Sequence, residues 1–361
     1  MKKKTLLKSI FKWLGIVLAV ILLVVILYVI YVFGTYKRIP DMQPLEVQQV
    51  ATEQAKTGEI YSIVTYNLGF GAYLPDFSFF MDGGEESVAK SKESVIGAIK
   101  GAADVVAELE TDFVAFQEVD LDGTRSYHVN QFELLKEQFA QYSNTFAVNY
   151  DSAYLAYSIL EPHGKNKAGL ATFSRFGIDS ALRRSLPIAT SVLKVLDLDR
   201  CYSISRIPVE GGKELCLFNI HMSAYSSDPG VREGQIQMFV SDMIREYEAG
   251  NYVICAGDFN HDLKLMNENQ APEFSWAYPF PRSEFLEGLS FAMDVLSDAE
   301  REGLWDSARN ADMIYIPGET FTITLDSFII SDNVEVVSYT NVNLGYAYSD
   351  HDPVYMEFIL K

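Results

Sequence analysis

Hydrophobic and polar positions divide the chain into two parts of different character. Residues 13–36 form one uncharged apolar run, whereas the remainder alternates short apolar runs with polar stretches. About 20 apolar residues suffice to cross the hydrocarbon core of a bilayer as a helix, so the first part predicts a transmembrane span. The second part predicts a folded domain that mixes strands and helices.

Beyond residue 59 the chain contains short runs rich in β-branched and aromatic residues, which predict strands. They are IYSIVTY, DFVAFQ, AGLATFS, CYSISRIPV, ELCLFNIHM, YVICAG, FTITLDSFII, VEVVSYT and PVYMEFIL. Apolar residues at helical spacing predict amphipathic helices over 86–110 and 231–247. Gly211 and Gly212 lie between two strands and predict a tight hairpin, hence an antiparallel pair. The pattern therefore favours an α/β fold in which a β-sandwich is flanked by helices, rather than a purely parallel sheet.

The chain is predicted to consist of three segments. Residues 1–36 are predicted to be a cytoplasmic stub and a transmembrane anchor. Residues 37–58 are polar, contain Pro40 and Pro44 and show no sustained apolar period, so they predict a linker. Residues 59–361 are predicted to be one domain. Within it, 261–317 is too long for a plain connection between strands and is interpreted as an insertion, either functional or a structural cap.

Charges around the apolar run predict its orientation. Five lysines precede the run, and only Lys37 and Arg38 follow it closely. This bias places the N-terminus in the cytoplasm and the domain outside. The length of the run and the tyrosines at its exit, Tyr28, Tyr31 and Tyr36, favour an uncleaved anchor over a signal peptide. We therefore expect a single-pass protein of the cell membrane.

The composition limits the partners of the domain. A formal net charge of -20 repels a polyanion unless a local basic track or bound cations reverse the field. Surplus carboxylates are also the ligands that Mg²⁺ and Ca²⁺ prefer, although a soluble acidic surface explains the composition equally well. The 3 cysteines have no metal-binding spacing and do not predict a disulfide framework.

Several predicted strands end in polar residues that a hydrophobic core does not need. Each one alone is explained as a turn former, a helix cap or a solvated side chain. Together they would converge on one rim if the strands pair side by side, and rims of sheets are where binding sites are built. The residues are Asn67, Glu118, His221, Asp258, Asn260, Asp326, Asp350 and His351.

The residue types on this rim fit one chemistry. Glu118 and Asp350 are hard oxygen donors for a divalent cation, and Asn67 can add a carbonyl oxygen or hold a phosphate. Histidines beside carboxylates can move protons or donate hydrogen bonds to an oxyanion. The sequence contains no GxSxG elbow, P-loop or dinucleotide-binding fingerprint. Metal-assisted hydrolysis by an activated water is the reaction type that still fits these residues.

The motifs TYNLG, FQEVD, FNIHMS, CAGDFN, TLDSFIIS and YSDHDPV occur in this order. In them the chain resembles the endonuclease/exonuclease/phosphatase superfamily of metal-dependent phosphoesterases, which includes deoxyribonucleases, apurinic endonucleases, inositol polyphosphate 5-phosphatases and neutral sphingomyelinases. The resemblance covers about residues 60–360. It implies a four-layer α/β/β/α sandwich of two mixed sheets flanked by helices, and Mg²⁺ as the cofactor, with Mn²⁺ or Ca²⁺ as alternatives.

The resemblance also implies roles for individual residues around the metal. Glu118 would be the principal metal ligand, with Asn67 beside it and Asp350 near the metal. Asp258 would orient or deprotonate the attacking water, and Asn260 would steady the water and the phosphate.

The same resemblance assigns the histidines. His351 would be the catalytic histidine, held in its tautomer by Asp326, although the chain lacks the arginine that many members carry before this aspartate. His221 would be a second histidine in contact with the phosphate. Arg125 would either bind a phosphate oxygen as a bidentate fork or form a salt bridge that fixes its own loop.

The substrate stays open among a nucleic acid, a phospholipid headgroup and a small phosphoester. The domain shows no extended basic track, and the anchor holds the site near a bilayer. Two aromatic segments, GFGAYLPDFSFFMDGG and the stretch with Phe274, Trp276, Tyr278 and Phe280, either line a headgroup pocket or pack on the domain. A catalytically inactive, tethered binding module is the alternative function. No protein partner can be inferred from the sequence.

Overall fold

The computed structural model describes residues 2–188, 198–224, 229–268, 277–285 and 287–361. The helices of this part are α1 Lys2–Thr35, α2 Lys92–Glu108, α3 Gln131–Gln138, α4 Pro229–Glu248 and α5 Asp298–Glu302. Its strands are β1 Gln43–Pro44, β2 Val47–Gln48, β3 Ile60–Asn67, β4 Phe113–Gly123, β5 Ser143–Asp151, β6 Asn166–Ser174, β7 Ser180–Ser185, β8 Cys201–Val209, β9 Lys213–His221, β10 Tyr252–Asp258, β11 Leu289–Phe291, β12 Ala308–Arg309, β13 Thr322–Ile323, β14 Asp326–Ser331, β15 Val334–Asn341 and β16 Val354–Leu360.

The long strands form two 7-stranded sheets. The first sheet has the order β1-β7-β8-β9-β10-β14-β11, and the second has the order β15-β16-β3-β4-β6-β5-β2. Both sheets are mixed, because β9 and β10 are parallel in the first and β3 and β4 are parallel in the second, among antiparallel neighbours. The predicted α/β class with two mixed sheets is confirmed.

Burial along β3 shows how the layers are stacked. Tyr61 and Ile63 belong to the core shared with the first sheet, whereas Val64 and Tyr66 belong to the core beneath α2 and α3. A strand with period-2 alternation that is buried on both faces lies between two layers. Phe239 of α4 packs on the first sheet. The order of layers is therefore α4, first sheet, second sheet, and α2 with α3.

The helix α2 begins at Lys92, later than the start at residue 86 that its apolar period predicted. Ser91 caps the helix, because its side chain accepts a hydrogen bond from the Ser94 amide while the Ser94 hydroxyl accepts one from the Ser91 amide. Such a capping box satisfies backbone donors that the first helical turn leaves unpaired. The helix predicted over 231–247 corresponds to α4.

The predicted strand FTITLDSFII is wrong as a single element. It is divided into β13 and β14, which belong to different sheets. Between them, the Thr324 and Leu325 carbonyls accept hydrogen bonds from the amides of Leu263 and Phe259, so the backbone leaves the ladder. The pattern also missed β5 and β7. In β7 the polar residue Arg183 is fully buried because its guanidinium reaches backbone carbonyls.

Residues 37–58 are folded onto the domain, which corrects their interpretation as a polar linker. β1 extends the first sheet by pairing with β7, and β2 extends the second sheet by pairing with β5. Ala55 is fully buried and bridges to Val209. Strands of 2 residues are too short to show an apolar period, so the sequence pattern could not reveal them.

The segment predicted as an insertion, 261–317, contributes to both the sheet and the site. β11 pairs with β14 at the edge of the first sheet, and β12 pairs with β13 in a separate two-stranded sheet. Phe280 is buried, and Tyr278 is exposed. Phe274 and Trp276, considered above as lipid contacts, lie outside the described residues.

Among the described residues, one helix is long and apolar enough to span a membrane. It covers Leu7–Thr35 of α1, with a mean hydropathy of 3.4 and 6% of its most apolar window buried. Near its C-terminal end, Tyr28 and Tyr31 hydrogen-bond the backbone of Tyr154 in the loop after β5.

Candidate active site

The polar residues at the strand ends lie together at one end of the sandwich. In the first sheet, Asp258 of β10 is paired in register with His221 of β9 on one side and with Asp326 of β14 on the other. In the second sheet, Asn67 is the last residue of β3. Its Nδ2 donates to Asp258 Oδ2 over 3.1 Å, which joins the two sheets at this point. The predicted convergence on one rim is therefore present.

Glu118 reaches the site through a β-bulge. The register between β4 and β6 shifts between Phe116 and Val119, and Glu118 has a positive φ of 52°. A bulge redirects a side chain that regular alternation would point elsewhere. The Glu118 carboxylate lies 3.5 Å from Asn67 Nδ2 and 3.8 Å from His221 Nε2.

His351 and Asp326 form a buried acid–histidine pair. His351 Nδ1 lies 2.7 Å from Asp326 Oδ2, and the Ser307 hydroxyl donates to the same oxygen over 2.7 Å. The other ring nitrogen of His351, Nε2, lies 3.8 Å from Asp258 Oδ2. Burial alone would lower the pKa of His351, but the charges of Asp326, Asp258 and Asp350 outweigh it and raise that pKa well above its usual value.

Asp258 is held by its own loop. Its Oδ1 accepts the Asn260 amide over 2.9 Å, and Asn260 Nδ2 donates to the Met222 carbonyl over 2.9 Å. Burial, together with the nearby Asp326 carboxylate, raises the pKa of Asp258. A carboxyl group with a raised pKa is a stronger base when ionised than a solvated one, as proton abstraction from water requires.

Asp350 lies against the first residues after β3. The Ser349 hydroxyl donates to the Asn67 carbonyl over 2.8 Å and lies 3.1 Å from Asp350 Oδ1. Gly69 has a positive φ of 49°, and a Cβ built on it would lie 2.9 Å from Asp350 Oδ1. Glycine at this position therefore allows the loop to approach the carboxylate closely.

His221 lies between the two sheets and is almost fully buried. Its Nε2 is 3.5 Å from Asp258 Oδ2, and its Nδ1 has no hydrogen-bond partner among the described residues. Burial lowers the pKa of His221 well below its usual value, and the charges of Arg200, His351 and Arg125 lower it further. The imidazole is therefore neutral at physiological pH.

Arg125 forms the salt bridge that was one of its two expected roles. Its Nε and Nη2 lie 3.2 and 2.8 Å from the two carboxylate oxygens of Asp120. Its guanidinium also stacks over the Phe70 ring, 3.8 Å from the centroid. Burial raises the pKa of Glu118 while the charge of Arg125 opposes this shift, so Arg125 acts electrostatically on the site.

Two residues of the site were missed by sequence reasoning, Ser307 and Arg200. Ser307, from the predicted insertion, holds the carboxylate of Asp326. Arg200 directly precedes β8, is 3% exposed, and has no hydrogen-bond partner for Nε and Nη1 in the described part of the chain. Its charge lowers the pKa values of both His221 and Glu118, and the register of β8 with β9 brings it beside the end of β9 at His221. Two unpaired nitrogens on a buried guanidinium are costly unless an anion binds them.

The oxygen donors of the site suit a hard divalent cation. Burial raises the pKa of Glu118 and the charge of Asp350 raises it further, a repulsion that a bound cation would relieve. Among the described residues, Asp258, Asp326 and His351 also have possible ligand atoms within 4.8 Å of one another, but His351 Nδ1 already binds Asp326. Asn67 directs Nδ2 at Glu118 and gives its Oδ1 to the Gly69 amide, so its amide must rotate before it can ligate a metal.

Comparison with known proteins agrees with this geometry. A family model described as "Endonuclease/Exonuclease/phosphatase family" matches residues 64–351. No curated protein matches the chain.

Similar solved structures share the fold at low sequence identity. An endonuclease/exonuclease/phosphatase from Beutenbergia cavernae is 14% identical, with a TM-score of 0.55, covering 83% of this chain and 72% of that one. A mannosyl-6-phosphatase from Bacteroides thetaiotaomicron is 17% identical, with a TM-score of 0.53, covering 83% and 99%. The human Nocturnin catalytic domain is 17% identical, with a TM-score of 0.53, covering 88% and 98%.

Proposed function

Since the chain belongs to the endonuclease/exonuclease/phosphatase family, we propose that it is a membrane-anchored, divalent-metal-dependent phosphoesterase. One observation carries the proposal: Asp258 is flanked in register by His221 and Asp326, and His351 Nε2 lies 3.8 Å from its carboxylate. The base Asp258, His351 in its fixed tautomer and the second histidine, His221, thus lie around one place where a phosphoester can bind. A binding module that performs no chemistry has no physical need for this set.

Each residue receives a role from its surroundings. Asp258 takes the proton of the attacking water, and Asn260 positions that water and a phosphate oxygen. His351, protonated because of its raised pKa, donates from Nε2 to the phosphoester oxygen on which charge develops. His221, neutral, contacts another phosphate oxygen. Before a metal binds, Asn67 Nδ2 contacts the carboxylates of both Glu118 and Asp258.

A divalent cation held by Glu118 and Asp350, for which Mg²⁺ fits the oxygen donors, supplies positive charge against the phosphoester when bound. Asn67 completes this ligand set after rotation of its amide. Mn²⁺ and Ca²⁺ accept the same donors.

Arg200 provides a positively charged group for binding the phosphate, whereas the proposed metal ligands are acidic or neutral. The unpaired Nε and Nη1 of its guanidinium are available to donate to a phosphate oxygen near His221 and Glu118. Arg125, already bound to Asp120, is less available for this role than the sequence suggested and acts through its charge.

The anchor completes the proposal. The span of α1 would place the N-terminal lysines in the cytoplasm and the domain on the extracytoplasmic face, because positive charge is retained inside.

The test uses the full chain in detergent micelles with a soluble phosphodiester, bis(p-nitrophenyl) phosphate, with Mg²⁺ and with EDTA. We expect hydrolysis that requires the metal and falls by a factor of roughly 10²–10⁴ in His351→Ala. His128→Ala is the matched control, because His128 forms a histidine–aspartate pair with Asp122 that is exposed on the surface. Equal turnover in both variants would overturn the role of His351, and the absence of hydrolysis of every phosphoester with any metal would favour the binding module.

A further inference from the structure

The register of the first sheet fixes which end of the sandwich faces the anchor. β9 ends at His221, and Tyr202 of β8 pairs with Ile220, so β8 begins at the end that carries the site. Ser185 pairs with Cys201, so β7 ends there as well. The chain that leaves α1 is bound at the same place.

Three contacts hold the chain just after α1 against this end. Arg38 donates to the Leu186 carbonyl immediately after β7, and its Nε lies 3.3 Å from Asp199 Oδ1. The Ile39 amide donates to the same carboxylate. Asp199 is the neighbour of Arg200 in the chain. The exit of the span therefore lies at the end of the sandwich that carries the site.

The loop between β5 and β6 lies at this end too. In the second sheet, β4 runs parallel to β3, and Gly123 at its C-terminal end pairs with Asn166, the first residue of β6. The tip of this loop exposes large apolar side chains: Tyr157 is 68% exposed, Ile159 87% and Leu160 98%. Exposed apolar clusters of this kind mark contacts with a protein or a membrane.

The loop is bound to the outer end of the span. The Tyr28 hydroxyl donates to the Tyr154 carbonyl over 3.1 Å, and the Tyr154 and Ala156 amides donate to the hydroxyls of Tyr31 and Tyr28. The 24 uncharged residues 13–36 extend about 36 Å, slightly more than the roughly 30 Å of a hydrocarbon core, so the last turn reaches the interface. Tyrosines prefer this level. The tip of the loop thus lies at the depth of the headgroups.

The loop is also joined to the segment that follows Asn67. The rings of Phe80 and Tyr157 lie 5.3 Å apart, and the Ser87 hydroxyl donates to the Glu161 carbonyl. The segment from Gly69 to Ser87 therefore connects the metal-binding side of the site to the apolar tip.

We propose that the site opens onto the bilayer that holds α1, with the tip Tyr157–Leu160 inserted among the headgroups, and that the substrate is a lipid phosphodiester of that surface. The proposal rests on the proposed function and names its substrate class. Water adds to phosphorus, the phosphorus–oxygen bond to one alcohol breaks, and that alcohol leaves with a proton, so the products are an alcohol and a phosphate monoester.

The position of the tip is tested by fluorescence. Leu160→Cys in the full chain is labelled with an environment-sensitive fluorophore; the native cysteines, Cys201, Cys216 and Cys255, are buried and do not compete. Ile60→Cys is the control, because Ile60 is 59% exposed at the opposite end of β3 from Asn67. In phosphatidylcholine vesicles, we expect nitroxide-labelled lipid to quench the label at position 160 and not at position 60. Equal quenching at the two positions would overturn the seating of this end on the bilayer.

The substrate class is tested in the same vesicles, made from phosphatidylcholine and sphingomyelin, against bis(p-nitrophenyl) phosphate. We expect Mg²⁺-dependent lipid hydrolysis, and Ile159→Asp combined with Leu160→Asp should lower the ratio of lipid to soluble turnover by about tenfold. Ile60→Asp should leave the ratio unchanged. Hydrolysis of the soluble ester or of a nucleic acid without lipid hydrolysis overturns the lipid substrate and leaves the phosphoesterase standing. Failure with every ester overturns the phosphoesterase and the lipid substrate together.

Discussion

His351 Nδ1 and Asp326 Oδ2 lie 2.7 Å apart in a buried pair, although the residues are 25 positions apart in the chain. Asp326 starts β14, and His351 precedes β16 in the other sheet. The pair therefore spans both sheets and fixes the imidazole so that Nε2 faces Asp258. Because one ring nitrogen is bound, the tautomer and the orientation of the other are determined.

Asp326→Asn should remove the support of the His351 imidazole while leaving the fold intact. The amide can still accept from Ser307 but cannot stabilise a protonated imidazole, so we expect turnover of a soluble phosphodiester to fall by roughly 10²–10⁴. Asp122→Asn is the control, because Asp122 pairs with His128 on the surface. Steady-state kinetics and circular dichroism of both variants provide the measurement. Turnover of Asp326→Asn within twofold of wild type contradicts the assignment.

Arg200→Gln should weaken substrate binding without weakening the fold. Removal of a buried charge with two unpaired nitrogens should not destabilise the fold, whereas loss of the phosphate contact should raise KM about tenfold or more. Arg183→Gln is the matched control, since Arg183 is equally buried but donates to the Val148, Pro40 and Asp199 carbonyls.

Chemical unfolding in micelles distinguishes the two arginines. Arg183→Gln should lower the free energy of unfolding by about 3 kcal/mol, because it leaves carbonyls unpaired in the core. Arg200→Gln should not lower it. An unchanged KM together with a loss of stability in Arg200→Gln would make Arg200 structural.

Glu118→Gln should reduce metal binding directly. Loss of the carboxylate removes the principal anionic ligand while the bulge and the contact with Asn67 can persist. We expect the dissociation constant for Mn²⁺, measured by electron paramagnetic resonance, to rise at least about tenfold. Glu133→Gln on the exposed face of α3 should leave it unchanged. Equal affinities in the two variants would place the metal elsewhere.

His163 should make stability depend on pH below neutrality. Burial, with the charge of Arg125, lowers the pKa of His163 to about 4, and its Nδ1 bonds the Ser87 carbonyl. The unfolded chain, with a pKa near 6.5, binds the proton more readily, so the stabilisation is complete above about pH 6.5 and is lost as the pH falls towards 4.

The size of this effect on stability follows from the two pKa values of His163. Between pH 7 and pH 5 this histidine should lower the free energy of unfolding by about 2 kcal/mol. His163→Gln should reduce the pH dependence by this amount, measured by chemical unfolding in micelles at both pH values. His128→Gln, at an exposed position, is the control. The same pH dependence in wild type and His163→Gln would contradict the prediction.

Much of the site could be predicted from the sequence because most of its polar residues lie at one end of a strand with a clear apolar pattern. Asn67, His221 and Asp258 end such strands; strand pairing brings His221 beside Asp258, and the packing of the two sheets brings Asn67 to them. Glu118 is different in its geometry. Its positive φ and the bulge around it are tertiary features that no local preference of glutamate predicts.

Arg200 could have been found, whereas Ser307 could not. The hairpin at Gly211 and Gly212 pairs Val209 with Lys213, and counting back along the same register brings Arg200 beside the end of β9 at His221. Ser307 reaches Asp326 from a long segment of irregular path, so nothing local in the sequence indicated the contact.

The short strands β1 and β2 keep the domain at a fixed distance from the end of α1. A flexible tether would let the domain move through a volume of solution. Here, however, the chain that follows α1 pairs with both sheets within a few residues. The domain then moves only with its anchor. For the lipid substrate proposed above, encounters would be collisions in a plane, so turnover should follow the mole fraction of that lipid in the membrane rather than the bulk concentration of vesicles.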